Sequence, residues 1–218
     1  MNKPLRKIEW LVWGGLFMVI ATILLAFLLS VLRYRTATSQ PLPILAEVAD
    51  FNLTNQQGQV FTLANLRGQV WVADIIFTRC AGPCPRMTRQ MKELQDALPP
   101  TSKARLVTLT TDPVFDTPHV LRLYSERFGA NPERWTFLTG SKDQIARLAT
   151  SSLKLTAVEK TPAERESPED LFIHSTIFVV VDKQGRLRGV FESGGEGIDP
   201  LSVKAKIIST VKRLEKES

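Results

Sequence analysis

The stretch Val70-Trp71-Val72-Ala73-Asp74-Ile75-Ile76-Phe77-Thr78-Arg79-Cys80-Ala81-Gly82-Pro83-Cys84-Pro85 decides the fold. Val70 to Phe77 is a nearly continuous apolar run, the pattern of a strand buried on both faces. After the short Thr78–Gly82 connection, the spacing predicts a helix that begins at Pro83 to Pro85. Met87, Met91, Leu94 and Leu98 fall on one face of it, and Pro99-Pro100 stops it. A buried strand feeding directly into a helix is the unit of an α/β fold.

Working outward, the same alternation repeats. Leu106 to Leu109 reads as a second strand. Thr117-Pro118 is an N-cap with Pro at the first helical position, and that helix carries Leu121, Tyr124 and Phe128 as far as Gly129. Trp135 to Leu138 is a short strand, and Ser141 caps a helix through Ile145, Leu148 and Ala149. Lys154 to Asp170, polar and carrying Pro162 and Pro168, reads as an irregular insertion. Ile177 to Val181 and Leu187 to Phe191 pair as a hairpin across Lys183-Gln184-Gly185, and Asp199-Pro200 opens a last helix with Leu201, Ile207, Ile208, Val211 and Leu214. Upstream, Phe51 to Phe61 flanks a turn at Asn55-Gln56-Gln57-Gly58 and predicts a leading β-hairpin. These elements imply a mixed sheet covered by helices on both faces.

Trp10 to Leu32 carries no charge and matches the roughly 20 apolar residues needed to cross a bilayer, too long for the apolar part of a cleaved signal peptide. No Cys follows it for lipid attachment, and Trp10, Trp13 and Tyr34 sit at its ends as interfacial aromatics do. The chain therefore divides into a basic tail (1–9), a transmembrane helix (10–32), a Thr/Ser/Gln/Pro linker (33–43) and a folded domain (44–218). Three basic residues before the span against two after it place the N-terminus inside, and the domain outside, the cytoplasm.

The net charge of +6 belongs mostly to that anchor. Lys3, Arg6, Lys7, Arg33 and Arg35 against Glu9 leave 23 of the 28 basic and 21 of the 22 acidic residues to the rest of the chain. The domain is nearly neutral, with a mild basic cluster at Arg79, Arg86, Arg89 and Lys92, which argues against a nucleic-acid partner.

Cys80 and Cys84 are the only cysteines. A strand-to-helix junction is expected to lower thiol pKa values, because unpaired backbone N–H groups and the helix dipole favour thiolate. Four residues apart, the sulfurs can form a disulfide or grip one metal ion. His174, in Ile173-His174-Ser175-Thr176 just before the strongest late strand, is the third candidate. Two soft thiolates and an imidazole suit Cu(I), with Zn(II) chemically open. His119, beside Pro118, reads as a surface residue.

Four motifs, in order, resemble the Sco/SenC family of copper-binding proteins that assist assembly of cytochrome c oxidase. They are Phe77-Thr78-x-Cys80-x-x-x-Cys84-Pro85, Asp112-Pro113-x-x-Asp116-Thr117-Pro118, Trp135-x-Phe137-Leu138-Thr139-Gly140, and His174-Ser175 before a strand ending in Asp182. The resemblance covers about residues 46 to 214. It implies a thioredoxin-like fold and a copper site, Cu(I) and/or Cu(II), made by Cys80, Cys84 and His174. It also implies one N-terminal anchor with the domain in the periplasm or, in a mitochondrion, the intermembrane space. The implied partners are a copper-receiving oxidase subunit and a copper donor or thiol reductant.

One residue departs from that pattern. Asp74 stands six residues before Cys80, where Sco proteins commonly have an apolar or aromatic residue and thioredoxin has a buried Asp that assists proton transfer. A buried carboxylate there could shuttle a thiol proton, giving an alternative reading as a thiol-disulfide oxidoreductase in which Cys80 attacks, Cys84 resolves and Asp74 moves the proton. Three residues between the cysteines, and no Pro in Ile173 to Thr176, separate the chain from a plain thioredoxin. Asp112 and Asp116 receive no catalytic role, Asp116 being placed to assist the helix start.

Overall fold

The computed structural model describes residues 3–39, 41–161, 163, 172–174 and 176–217, in two compact units, Met1–Pro41 and Leu42–Ser218. The first unit is a single helix, α1 (Lys3–Ser39). Its Trp10–Val31 run of 22 residues is apolar enough to cross a membrane, and at 1.5 Å per residue it spans about 33 Å, a little more than a hydrocarbon core. Helix continues through residues 33–39, which the sequence assigned to the linker.

In the second unit, β1 (Ala46–Glu47), β2 (Asn52–Asn55), β3 (Val60–Thr62), β4 (Trp71–Ile76), α2 (Cys84–Ala97), β5 (Arg105–Thr110), α3 (Pro118–Arg127), β6 (Trp135–Thr139) and α4 (Lys142–Ala146) follow in order. A π turn (Arg147–Ser152) extends α4; then come β7 (Ala157–Glu159), β8 (Phe172–His174), β9 (Ile177–Val181), β10 (Arg186–Glu192) and α5 (Pro200–Lys216). Eight strands form one mixed sheet in the order β1-β10-β9-β4-β5-β6-β2-β3. The β4, β5 and β6 strands run parallel, while β9 joins β4, and β2 joins β6, antiparallel.

Period-two alternation along β4 sorts its side chains to two cores. Val72 and Ile76 pack with Met87, Met91 and Leu94 of α2, Tyr124 of α3 and Ile207 and Val211 of α5. Trp71, Ala73 and Ile75 face Leu53, Leu63, Ile145 and Leu148. Every β4 residue is buried, which is why its sequence is apolar at every position but Asp74. Asp74 shares parity with Val72 and Ile76, so the one charged residue of the strand points to the α2 face.

The leading hairpin, β2 with β3, lies at the far edge of the sheet against β6. Where its backbone turns away, the buried Gln56 side chain continues the pairing: its Nε2 donates to the Trp135 carbonyl at 3.1 Å and its Oε1 accepts from the Phe137 N–H at 2.9 Å. At the other side Arg188, 4 % exposed, donates to Asp182 Oδ2 (2.7 Å), the Leu42 carbonyl (2.6 Å) and Glu217 Oε2 (2.9 Å), tying the start and end of the domain to the β9–β10 hairpin.

The insertion differs from the irregular segment expected: Ala157–Glu159 is a strand, paired antiparallel with Phe172–His174 as a separate two-stranded sheet. Val158, Phe172 and Ile173 are strand-favouring residues, and the backbone pairing joins positions well apart in the sequence. Residues 162 and 164–171 lie outside the described set.

Candidate metal and thiol site

The sheet delivers Phe77 into the α2-side core, and the chain then loops through Thr78–Pro83. The Cys80 N–H returns to the Phe77 carbonyl at 3.2 Å, and Arg86 and Met87 donate to the Pro83 carbonyl at 3.0 Å to start α2. Pro85 falls in the first turn, where its missing N–H costs nothing. Cys84 is the first residue of the helix. Both cysteines are in the reduced, thiol form, Cys80 at the margin of solvent (9 % exposed) and Cys84 fully enclosed. Their side chains hydrogen-bond one another.

The expected lowering of the thiol pKa fails at Cys84. Burial first, then the hydrogen bond and the electrostatic interaction with Cys80, push the Cys84 thiol far above the ordinary range, against a backbone hydrogen bond at Phe77 that pulls it down; Asp74 adds to the rise. Helix-start amides favour a thiolate where water also reaches it; at Cys84 loss of hydration dominates.

The cysteine loop is fastened by the loop between β5 and α3. Arg79 Nη2 meets Asp112 Oδ2 at 2.5 Å, and its guanidinium lies 4.1 Å from the centre of the Phe115 ring. The Thr78 N–H donates to Asp116 Oδ2 at 3.1 Å, the Thr78 hydroxyl donates to Asp116 Oδ1, and the Thr110 hydroxyl donates to Oδ2. Asp116 is fully buried, and that burial raises its pKa against the hydrogen bonds from Thr110 and Thr78, with Asp112 adding to the rise. The sequence reading placed Asp116 at a helix start; the cap is Thr117, whose hydroxyl accepts from the Val120 N–H, and Asp116 turns inward to hold Thr78. The Asp-Pro-x-x-Asp motif thus sets the path of the residues that lead into Cys80.

Asp74 is fully buried. Thr108, its register partner on β5, donates to Asp74 Oδ1 at 2.7 Å, and Trp135 Nε1 donates to Thr108 Oγ1 at 2.9 Å. With the indole N–H filling its acceptor side, the Thr108 hydroxyl is left to donate toward the carboxylate. A second chain runs along α2: the Thr88 hydroxyl donates to the Cys84 carbonyl at 2.9 Å and lies 2.9 Å from the Tyr124 hydroxyl. Burial, above all, raises the Tyr124 pKa, with Cys84, Asp74 and Cys80 adding to it. Asp74, Cys80, Cys84 and Tyr124 therefore share one electrostatic environment under α2.

His174 ends β8, its backbone in register with Ala157; its side chain lies outside the described residues. Among the described residues no group of three or more His, Cys, Asp or Glu gathers to hold a metal ion. Sequence reasoning missed Ser193, which links the segment after His174 to α2. Ser193 donates to the Thr176 carbonyl through its N–H (2.7 Å) and its hydroxyl (2.8 Å), and its own carbonyl accepts from Gln90 Nε2 at 3.3 Å. His119 is exposed, with Nδ1 3.1 Å from Arg122 Nη2, as a surface residue.

The family model described as SCO1/SenC matches residues 41–211. A SCO1 protein homolog of Bacillus subtilis is 35 % identical over 147 residues, covering 66 % of this chain and 73 % of that protein. BsSco, a member of the Sco family of cytochrome c oxidase assembly proteins in which a disulfide switch was identified, superposes with a TM-score of 0.68 at 32 % identity, over 83 % of this chain and 100 % of the other. ScoI of Bradyrhizobium japonicum, solved with copper bound, shares the fold at 22 % identity, with a TM-score of 0.61 over 78 % of this chain and 99 % of that one. The thioredoxin-like mixed sheet flanked by helices is thus common to these proteins and this one. From the motifs around Cys80 and Cys84, the fastening of their loop and the match over residues 41–211, the chain belongs to the SCO1/SenC family.

Proposed function

We propose that this protein binds copper through Cys80, Cys84 and His174 and assists assembly of the copper centre of cytochrome c oxidase. The observation that carries the reading is the joined thiol pair: two soft sulfur donors hydrogen-bonded to each other at a helix start, in a domain of the SCO1/SenC family. Copper is cargo here. Thiolates of Cys80 and Cys84 with the His174 imidazole make a soft donor set with room for a partner's ligand, so copper can leave by ligand exchange. Loading requires the Cys84 proton to depart, which links affinity to pH. Trp10–Val31 anchors the protein with its N-terminus in the cytoplasm and residues 44–218 outside, facing a copper-receiving oxidase subunit and a copper donor or thiol reductant.

A second reading rests on Asp74. Cys80, the more accessible sulfur, attacks a target disulfide; Cys84 then closes the Cys80–Cys84 disulfide and releases the target as a dithiol, and Asp74 takes the Cys84 proton. The two readings are compatible in one protein, since oxidation to the disulfide removes the thiolate ligands.

Copper titration of the reduced full chain in detergent, with a chromophoric chelator in competition, tests both. One copper per chain is expected, and His174→Ala should weaken binding by at least roughly 100-fold, beyond what loss of a supporting hydrogen bond costs. Unchanged affinity in His174→Ala refutes the three-ligand site. Asp74→Asn should leave copper affinity within a few-fold while slowing disulfide reduction; equal turnover removes the second reading.

A further inference from the structure

The surface beside the thiols is apolar and basic at once. Val114 is 76 % exposed and Phe115 42 %, adjacent on the loop whose Asp112 and Asp116 hold the cysteine loop. The Phe115 ring packs against Arg79, the residue before Cys80. The Phe115 and Asp116 N–H groups both return to the Asp112 carbonyl, so the loop is fixed with these side chains turned out. Neighbouring exposed apolar groups held rigidly in this way mark an interaction surface more than scattered ones do.

Charge gives the face a sign. From Thr78 to Met91 the chain carries Arg79, Arg86 and Arg89, all exposed, and no carboxylate. The neighbouring segment, Thr111 to Leu121, has two carboxylates, Asp112 and Asp116, and both are buried. Arg86 and Arg89 form no ion pair among the described residues. Glu192, at the end of β10, and Glu196, on the following loop whose Gly194 abuts Arg86, bound the positive area on that side.

We infer that Val114, Phe115, Arg79, Arg86 and Arg89 form the docking face for the protein that accepts copper from this site, and that the acceptor presents an apolar depression bordered by carboxylates beside its own ligands. The inference rests on the copper reading above and adds to it the surface and the partner's chemistry. Cys80 is only 9 % exposed, so exchange needs close, oriented contact, which an aromatic anchor and complementary charge supply. A lipid surface is the poorer occupant, because pressing this face onto headgroups would close the thiols to any acceptor.

The test is copper transfer from the loaded full chain, held in nanodiscs, to the metal-free soluble copper-binding domain of the oxidase subunit of the same organism. Wild type should transfer at a second-order rate that falls as salt rises. Arg86→Glu/Arg89→Glu should lower the low-salt rate about tenfold or more and flatten or reverse the salt dependence. Val114→Ser should slow transfer at every salt concentration, with copper affinity unchanged in both variants. Replacing acceptor carboxylates by Lys should restore the rate to the Arg86→Glu/Arg89→Glu protein. If wild type binds no copper, the functional reading fails and this inference with it. If wild type transfers copper and both variants match it, the docking face alone is refuted. A defect in Val114→Ser that vanishes when anionic nanodisc lipids are replaced by zwitterionic ones assigns the face to lipid and likewise overturns the inference.

Discussion

Asp116 offers the sharpest test of how the cysteine loop is held. Asp116→Ala removes the acceptor for the Thr78 N–H and for the hydroxyls of Thr78 and Thr110. An unsatisfied buried donor costs about 1–3 kcal/mol. One of the hydroxyls can re-aim, so the N–H and the other hydroxyl set a loss of about 3–5 kcal/mol. Asp116→Asn is a different perturbation. With its oxygen in the place of Oδ2 it still accepts from the Thr78 N–H and Thr110, while its amide donates to a rotated Thr78 hydroxyl, so the cost should be about 1 kcal/mol. In urea unfolding of the full chain in detergent, with a slope of roughly 2 kcal/mol/M, the midpoint should fall by about 2 M for Ala and about 0.5 M for Asn. The pH dependence has a definite sign. The folded pKa of Asp116 is raised, so its contribution is complete below the unfolded value near 3.9 and is lost as pH rises through the folded value. Asn cannot titrate, so the gap between wild type and Asp116→Asn should be widest in acid. Equal destabilisation by Ala and Asn, or a loss under about 1 kcal/mol for Ala, refutes the fastening.

At Cys84 the folded pKa is also raised, so the stabilisation is complete below the unfolded thiol value of about 8.5 and drains away above it. The reduced protein should lose about 1.4 kcal/mol per pH unit beyond that point, and Cys84→Ser should flatten the slope; parallel curves by pH-dependent denaturation would count against the buried thiol. Arg188→Leu removes the fully buried partner of Asp182 Oδ2, which keeps Arg186, and leaves the Leu42 carbonyl without its guanidinium, so it should cost about 1–3 kcal/mol by urea unfolding. Hydrogen bonds from Arg186, Arg188 and Gln184 outweigh burial and hold the Asp182 pKa low. Its contribution is therefore present above the unfolded value and lost as pH falls through the folded one, and acid titration of Arg188→Leu should show that limb weakened.

What was legible in the sequence was local. The apolar run of β4, the Thr117-Pro118 cap of α3, the Asp199-Pro200 start of α5 and the β9–β10 hairpin each declare themselves within a few residues, and the structure has them. The cysteine pair was legible for the same reason. The rest depends on partners distant in the chain. β1 is two residues long and exists because β10 pairs with it; β7 and β8 require each other across the insertion. The helix-start rule for the thiols uses only neighbours in sequence, whereas Cys84 is governed first by the core that encloses it, with Asp74 of β4 adding to the effect. Asp112 had no assigned role and Asp116 looked like a helix-start residue because their partners, Arg79 and Thr78, lie more than thirty positions earlier.

The Gln56 amide that stands in for a strand residue against β6 limits how this outer hairpin can vary. Surface turns usually tolerate an extra residue, since lengthening costs little loop entropy. Here a single insertion between Asn55 and Gln59 would draw the amide off Trp135 and Phe137 and strand two main-chain groups in a dry interior. The turn is thus a fixed-length gauge, and change in this hairpin should accumulate by substitution at its exposed positions while its residue count stays constant.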